Sequence, residues 1–493
     1  MNKPITGSML YNMVQCPHRV TMDLYGDPAL KDPISPFVQL LWERGNAYEQ
    51  EVIEGLKISF TNLRPYSEDE RERLTLEAMK RGDALIYGGR ISFDDLLGDP
   101  DLLRRQGSGY VAGDIKSGSG VEGETEEREG KPKKHYAVQL ALYTDILERR
   151  RLSNNRTPFI WDVHGEEVIY DLNVLHGKKN PVSLWSMYQD ALAQAREMVA
   201  MKCGTLPALM GICKLCQWRA ACTKEAENSD DLTLIPELGR SRRDSLMSHM
   251  RTVRELASAD LRSLCRGDKT VIPGIGAETL AKFQARAQLQ QTPGAKPYLK
   301  EPINLPRAEL ELFFDIETDP MRDICYLHGF IERRNSKKEK YVYFLAGNPT
   351  PEKEKRAFAE AWAYIKSCRP CTIYYYSPYE KTCWRKLCEK YPDVVTEAEI
   401  EELFGSAETL DLYQDIVRSK MVWPTRDHSI KTLATHLGFK WRDTDPSGAS
   451  SVEWYNRWVE SGDASIRQRI LEYNEDDCIA MRVLLDLIRR LSA

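Results

Sequence analysis

The stretch Tyr110-Val-Ala-Gly-Asp114-Ile-Lys116-Ser-Gly118 decides how the N-terminal half is read. Two β-formers lead into Asp114-Ile115-Lys116, and Ser117-Gly-Ser-Gly120 then breaks the run. On a strand, residues i and i+2 point to the same face, so Asp114 and Lys116 project together. A carboxylate beside an ammonium at a strand end can hold a divalent cation and polarise the water that attacks a phosphodiester. A surface strand also carries such a pair as a plain ion pair. An acidic stretch, Gly98-Asp99-Pro-Asp101-Leu-Leu103, precedes it. An amphipathic helix follows, on which Gln139 and Tyr143 share a face at i, i+4.

The ordered set of Pro-Asp, Asp-x-Lys and Gln-x-x-x-Tyr resembles the PD-(D/E)XK nuclease core, in its RecB branch. The resemblance implies that Asp101 and Asp114 bind metal and that Lys116, Gln139 and Tyr143 are catalytic. It also matches Glu49, within helical Gly45-Asn-Ala-Tyr-Glu49, to the family's helical acidic position; a solvated helix face is the other reading of Glu49. Chemistry alone does not choose among Asp94, Asp95, Asp99 and Asp101. The context Gly-x-Pro-Asp-Leu-Leu-Arg favours Asp101, with Asp99 next, as in the stand-alone RecB-like nucleases that the whole chain resembles.

At 493 residues the chain has room for two or three domains, each with its own core. Its formal charge of −5 means that any nucleic acid is held by local basic patches rather than by bulk charge. The N-terminus lacks an apolar signal core and no apolar run reaches ~18 residues, so the sequence reads as cytoplasmic with no membrane contact. Twelve cysteines in such a chain do not make a disulfide scaffold. Cys213-x2-Cys216-x5-Cys222 asks for a soft metal, zinc or an iron–sulfur cluster, with buried hydrophobic cysteines as the alternative. With the distant Cys16, the set is similar to that of RecB-family nucleases carrying a [4Fe–4S] cluster, among them the AddB subunit of bacterial recombination nucleases and the CRISPR adaptation nucleases. That likeness implies one [4Fe–4S] cluster on Cys16, Cys213, Cys216 and Cys222, stapling the two ends of a domain at 1–228. A second run, Cys368-x2-Cys371-x11-Cys383-x4-Cys388, has zinc-like spacing. However, Cys371 leads into an apolar strand, and Cys383 and Cys388 fall off one helix face, so these read as core cysteines.

Within 1–228, Trp42–Leu56 and Tyr66–Arg81 read as helices, Ala84–Ile86 and Arg90–Leu97 as strand or turn. Glu122–Lys134 reads as a mobile Gly- and Glu-rich loop whose lysines touch phosphate or form a solvated tip. Residues 229–292 change character: Leu234-Ile-Pro-Glu-Leu-Gly239 and Val271-Ile-Pro-Gly274-Ile-Gly276 each open a helical stretch. Glycines let a backbone approach phosphate, and the amides of the next helix then face it. This weak repeat resembles tandem helix–hairpin–helix modules, with Gly274, Gly276, Arg242 and Arg243 as nucleic-acid-binding residues; a plain helical linker is the alternative. Residues 293–306 read as a linker.

From 307 to 493 a second α/β domain is expected. Leu310-Glu-Leu-Phe-Phe-Asp315-Ile-Glu317-Thr318 is a buried strand ending in two acids on one face, which repel unless a cation sits between them. Near the end, Tyr473-Asn-Glu-Asp-Asp477 places Tyr473 and Asp477 on one face of a long helix at i, i+4. The set resembles the DEDDy branch of ribonuclease H-like 3′–5′ exonucleases, nearest to YprB-type nucleases. It implies two metal ions on Asp315, Glu317, a middle acid and Asp477, with Tyr473 orienting the attacking water. The middle motif departs from the pattern, offering Glu380 in Tyr375-Tyr-Ser-Pro-Tyr-Glu380, with Asp411 as substitute.

The expectation is therefore an α/β multidomain protein: a PD-(D/E)XK, restriction-endonuclease-like core, a helix–hairpin–helix middle and a ribonuclease H-like C-terminal domain. It would use Mg²⁺ or Mn²⁺ and a [4Fe–4S] cluster on DNA ends or single strands. A second reading is a non-catalytic iron–sulfur scaffold that binds DNA for a helicase, since the chain has no Walker A motif. Lys116 and Tyr473 argue against it, because neither is needed merely to bind DNA. A third reading makes RNA the substrate of the C-terminal site, a choice that depends on how the pocket treats the 2′-OH.

Overall fold

A computed structural model describes residues 3–123, 130–153, 155–177, 180–202, 204–306, 308–335 and 337–492. The chain forms two compact units, 1–207 with 211–222, and 208–210 with 223–493.

In the first unit, six helices surround a mixed sheet: α1 (Gly7–Gln15), α2 (Pro17–Tyr25), α3 (Pro36–Glu54), α4 (Glu68–Arg81), α5 (Lys134–Arg149) and α6 (Leu184–Val199). Local signals set several ends. Thr6 accepts from the amide of Met9 to cap α1, and Ser67 with Glu70 forms a capping box on α4. The sheet runs Glu167–Ile169, Phe159–Trp161, Gly109–Ile115, Leu102–Gln106, Leu85–Tyr87, Thr61–Asn62. Gly109–Ile115 is buried along almost its whole length, antiparallel to Leu102–Gln106 and parallel to Phe159–Trp161. It is the strand against which the apolar face of α5 packs. The strand after Asp114 closes one residue before Lys116. Val121–Glu122 pairs with Lys131–Pro132 across the expected loop; its residues 124–129, read as mobile, lie outside the described residues.

The first helices are tied to the end of this unit. Trp218 is almost fully buried and donates to Asp23 at 2.8 Å; Asp32 accepts from the amide of Ala220 at 2.9 Å, and its own amide donates to Gln217 O at 2.6 Å.

The second unit opens with α7 (Arg219–Asn228), which straddles the boundary, then α8 (Gly239–Leu246), α9 (Val253–Ser258) and α10 (Ala277–Gln291). Gly239 and Gly276 open α8 and α10, as their placement predicts. A two-stranded hairpin, Cys265–Arg266 with Lys269–Thr270, intervenes between α9 and α10, so the two halves do not repeat. The expected linker is not free chain: Tyr298–Leu299 pairs antiparallel with Met421–Val422. The main sheet has the order Lys338–Leu345, Ile324–Arg334, Leu310–Asp319, Thr372–Tyr375, Thr409–Asp411. The first three strands form an antiparallel meander and the last two join in parallel. Around it lie α11 (Pro351–Cys368), α12 (Tyr379–Lys390), α13 (Glu397–Gly405), α14 (Ile430–His436), α15 (Gly448–Ser461) and α16 (Ala464–Ser492). Cys368, Cys371 and Cys388 are buried among these elements and Cys383 packs against them, the core role expected.

Glu237 joins the helical segment to the sheet domain. It meets Lys282 at 2.8 Å, Arg286 at 3.0 Å and Arg418 at 2.7 Å. Burial pushes its carboxyl up, but the hydrogen bond from Lys282 and the charges of Arg286 and Lys282 hold it down at about 2. A depressed carboxylate pKa supplies stability that is present above the ordinary 4.5 and is lost as pH falls through about 2. Glu237→Gln should therefore lower the thermal unfolding midpoint at neutral pH, and the gap from wild type should close as pH falls from about 5 towards 2. Calorimetry across that range checks it; a gap that stays constant would mean the three cations do not stabilise the ionised form.

Candidate active sites

The N-terminal constellation forms where the central strand ends. Asp114 is buried, and Lys116 Nζ lies 2.9 Å from its Oδ2. Asp101 stands opposite, its Oδ2 accepting from the amide of Ile115 at 3.0 Å while its own amide donates to Asp114 Oδ1 at 3.3 Å. Glu49 on α3 reaches the same cluster through Arg64. The Arg64 guanidinium bridges Glu49 and Asp101, at 2.8 Å from Asp101, and Tyr87 donates to Glu49 at 2.8 Å. On α5, Gln139 donates to the Tyr143 hydroxyl at 3.0 Å. Tyr143 is gripped by two glycines: a Cβ on Gly7 would stand 2.9 Å from its hydroxyl, and one on Gly98 2.6 Å from its ring. Asp99, the second choice for the metal acid, is drawn off to Arg71 and Arg90.

The C-terminal constellation is tighter. Asp315 and Glu317 leave the central strand on one face, and Asp477 comes from the α16 face that packs there; their ligand oxygens lie within 4.8 Å of one another. Tyr473 is one turn before Asp477. Between them sits Lys431 of α14, 2.8 Å from the Tyr473 hydroxyl and 2.9 and 3.1 Å from the Asp477 oxygens. Trp441 also donates to Asp477, at 2.7 Å. Asn474 donates to Asp315 at 2.7 Å and accepts from Tyr341 at 2.8 Å. Glu380 lies buried in the first turn of α12, and its charge bears on Asp315. Asp411 is otherwise engaged: one oxygen accepts from the amides of Ser377, Tyr413 and Gln414, which caps the following helical turn. Of the two middle acids, Glu380 is the one whose charge is felt at Asp315.

Residues 24–223 match the family model of the PD-(D/E)XK nuclease superfamily, and residues 312–489 match that of the RNase_H superfamily. The chain holds one domain of each superfamily. Among curated proteins none gives a match. Both domains point to a nuclease and to nucleic acid as partner, and the carboxylate cluster suits Mg²⁺ or Mn²⁺. No helix among the described residues is long and apolar enough to cross a membrane.

Electrostatics mark both sites. In the PD-(D/E)XK domain, burial and the Asp114 carboxylate push Asp101 up to about 7, against the pull of Lys116. Lys116 is raised, because Asp114 and Asp101 outweigh the effect of burial. In the RNase H-like domain, burial and Asp477 push Glu317 up to about 8 and raise Asp315 and Tyr473 well above their ordinary values. Such mutual repulsion is relieved by a cation.

The sequence did not mark Arg64, Lys431, Trp441 or Asn474 as site residues. Asn474 alone had a signal, lying inside Tyr-x-x-x-Asp; the other three arrive from elements whose position only the tertiary fold sets. Two further expectations need amending. Arg243 was assigned to phosphate, but it is buried, 3.0 Å from Asp231 and 2.6 Å from Asp244, so it holds the helical segment together. Arg242 is exposed, yet its guanidinium donates to the Glu237 carbonyl at 2.6 Å over the Phe283 ring. Gly274 and Gly276 lie on an exposed turn before α10, with open space around Gly274. As for the cysteines, Cys16 and Cys213 both act electrostatically on Cys216, whose thiol burial pushes up, and Cys222 follows one turn into α7.

Asn474 is placed to aim Asp315. A Cβ on Gly329 would stand 1.6 Å from its carbonyl oxygen, so glycine is what makes room for it. Asn474→Leu should weaken Mn²⁺ binding by about 10-fold or more, as expected when a ligand loses its orienting hydrogen bond. Titration calorimetry in an Asp114→Ala background checks this; unchanged affinity would show that the strand alone positions Asp315.

Proposed function

We propose that this chain is a metal-dependent nuclease with two active sites, hydrolysing phosphodiester bonds of DNA at ends or in single strands, in repair, recombination or defence. The observation that carries the reading is the convergence of Asp315, Glu317 and Asp477 beside Lys431 and Tyr473, with Asp101, Asp114 and Lys116 gathered at a strand end in the other domain. A structural ion-pair cluster would not place Asp315, Glu317 and Asp477 oxygens within 4.8 Å without a counter-charge for each.

Asp101, Asp114 and Glu49 would hold a metal ion in the N-terminal site, and Asp315, Glu317, Glu380 and Asp477 two in the C-terminal one. Bound there, Mg²⁺ or Mn²⁺ would neutralise the acids and polarise the phosphodiester and the attacking water. Lys116, kept protonated by Asp114 and Asp101, offers its ammonium to the scissile phosphate. Gln139 donates to Tyr143 and leaves the phenol proton free for the substrate. In the C-terminal site, Tyr473 stays neutral, accepts from Lys431 and donates to Asp477, and from that pairing its hydroxyl would orient the water. That arrangement is the one expected of a YprB-type 3′–5′ exonuclease of the DEDDy branch. The exposed turn at Gly274–Gly276, with Arg242, would touch phosphate backbone without reading sequence.

Cys16, Cys213, Cys216 and Cys222 would hold a [4Fe–4S] cluster. What supports this is an all-thiol donor set in which Cys16, distant in sequence, acts on Cys216 together with Cys213, a set that would suit such a group. Its loss should loosen the tie between α1–α2 and residues 205–222. Protein prepared without oxygen should contain iron and sulfide in equal amounts, and Cys216→Ser should remove both and lower the unfolding midpoint. Stoichiometric zinc without sulfide would end this assignment.

The two sites should separate by substrate. Lys116→Ala or Asp114→Ala should abolish one activity, and Asp315→Ala or Asp477→Ala another, each by on the order of 10²-fold or more. Circular single-stranded DNA tells them apart, since a 3′-exonuclease cannot start on it. If Asp315→Ala removes all cleavage and Lys116→Ala removes none, the N-terminal domain is a binding module.

A further inference from the structure

Beside the N-terminal site lies a group of side chains that the chemistry above does not use. Tyr136, Gln139 and Tyr143 fall at i, i+3 and i+7, so Tyr136 continues the catalytic face of α5. Its ring meets His135 with centroids 4.5 Å apart, and Tyr11 of α1 completes the cluster, 4.8 Å from His135 and 6.0 Å from Tyr136. All three rings are half-buried rather than sealed in the core. Two ammonium groups stand over Tyr136, that of Lys116 at 5.6 Å and that of Lys133 at 5.3 Å. Burial and the charges of Lys133 and Lys116 hold His135 down at about 4, so its ring is neutral at physiological pH.

We propose that Tyr11, His135 and Tyr136 form a platform on which the bases of a single-stranded nucleic acid stack while its backbone runs over Lys116 and Lys133. Aromatic faces interleaved with lysines are what a strand of unpaired bases requires: every base offers a π-face, and each linking phosphate takes a cation. The register follows from Lys116. The ammonium that meets the scissile phosphate is the one over Tyr136, so a phosphate seated there brings the base of its own nucleotide to the ring. A duplex cannot use the platform, because its bases are already stacked and must be drawn out at a cost of unpairing. The platform thus makes the N-terminal site selective for single strands or frayed ends, a refinement that rests on that site being a nuclease centre.

Fluorescence anisotropy with the full chain in EDTA, where nothing is cleaved, tests it on three labelled probes: a mixed-sequence single strand, the same strand with central abasic sugars, and a blunt duplex. Wild type should prefer the intact strand over the abasic one by about tenfold. Tyr11→Leu with Tyr136→Leu should bind those two strands alike and should bind the duplex within about twofold of wild type. Equal wild-type affinity for intact and abasic strands, or a preference that survives in the double variant, overturns the proposal. Misfolding cannot imitate the expected result, since a misfolded variant would also lose the duplex binding that is expected to persist. The nuclease reading is tested separately by cleavage of circular single-stranded DNA, on which a 3′-exonuclease site cannot start, with Lys116→Ala: if that variant cleaves it as wild type does while the base preference holds, the platform stands as a binding surface and the catalytic assignment falls.

Discussion

Carboxylates crowded together out of water repel, and both domains are built to hold them there. In the RNase H-like domain the constraint is sharpest. Asp315, Glu317 and Asp477 share less than 5 Å, and burial with mutual charge raises Asp315 and Glu317. Left alone, such groups would separate or take up protons. The fold prevents separation by rooting Asp315 and Glu317 in the central strand and Asp477 in the longest helix. Smaller contacts complete the restraint. Asn474 fixes Asp315, Tyr341 fixes Asn474, and Gly329 leaves the space that Asn474 occupies. Trp441 and Lys431 hold Asp477 from the other side.

The PD-(D/E)XK domain solves the same problem with different parts. Asp114 accepts from the amide of Asp101, and Asp101 from that of Ile115, which ties strand to strand and leaves their remaining oxygens for Arg64 and Lys116. Each site thus carries a resident basic side chain among its acids. Removing a partner from such a buried set exposes an uncompensated charge, which costs more than the pair contributes. Elements remote from the chemistry carry comparable ionic ties. Glu311 with Arg333 and Arg489, and Glu237 with its three cations, are likewise buried or half-buried, so ionic networks here are structural as often as functional.

Much of this was legible where chemistry follows a local period. Asp114 and Lys116, and Asp315 and Glu317, are two apart on strands; Gln139 and Tyr143, and Tyr473 and Asp477, are four apart on helices. Alternation and helical pitch place each pair on one face whatever the rest of the chain does. Choices between neighbouring acids were not legible, because partners decide them: Asp99 is taken by Arg71 and Arg90, and Asp411 by three amides. Arg243 shows the converse failure. A basic run after a glycine turn suggests phosphate, yet packing buries Arg243 against Asp231. The short pairing of Tyr298–Leu299 with Met421–Val422 joins residues over a hundred positions apart, a contact that no local pattern can encode.

Lys431 carries the argument one step further. When ionised, Asp315, Glu317 and Asp477 bear three negative charges in a volume that excludes most water. A divalent cation among them would offset most of that charge, and the Lys431 ammonium would then have less carboxylate to neutralise. A phosphodiester bound there would bring a single negative charge to the same place. The position of Lys431, between the Tyr473 hydroxyl and Asp477, lets it exchange the one anion for the other with a small movement of a flexible side chain. On the proposed reading, one lysine would restrain the acids before substrate arrives and meet the phosphate afterwards, a reason for a cation to stand among acids that would themselves hold metal.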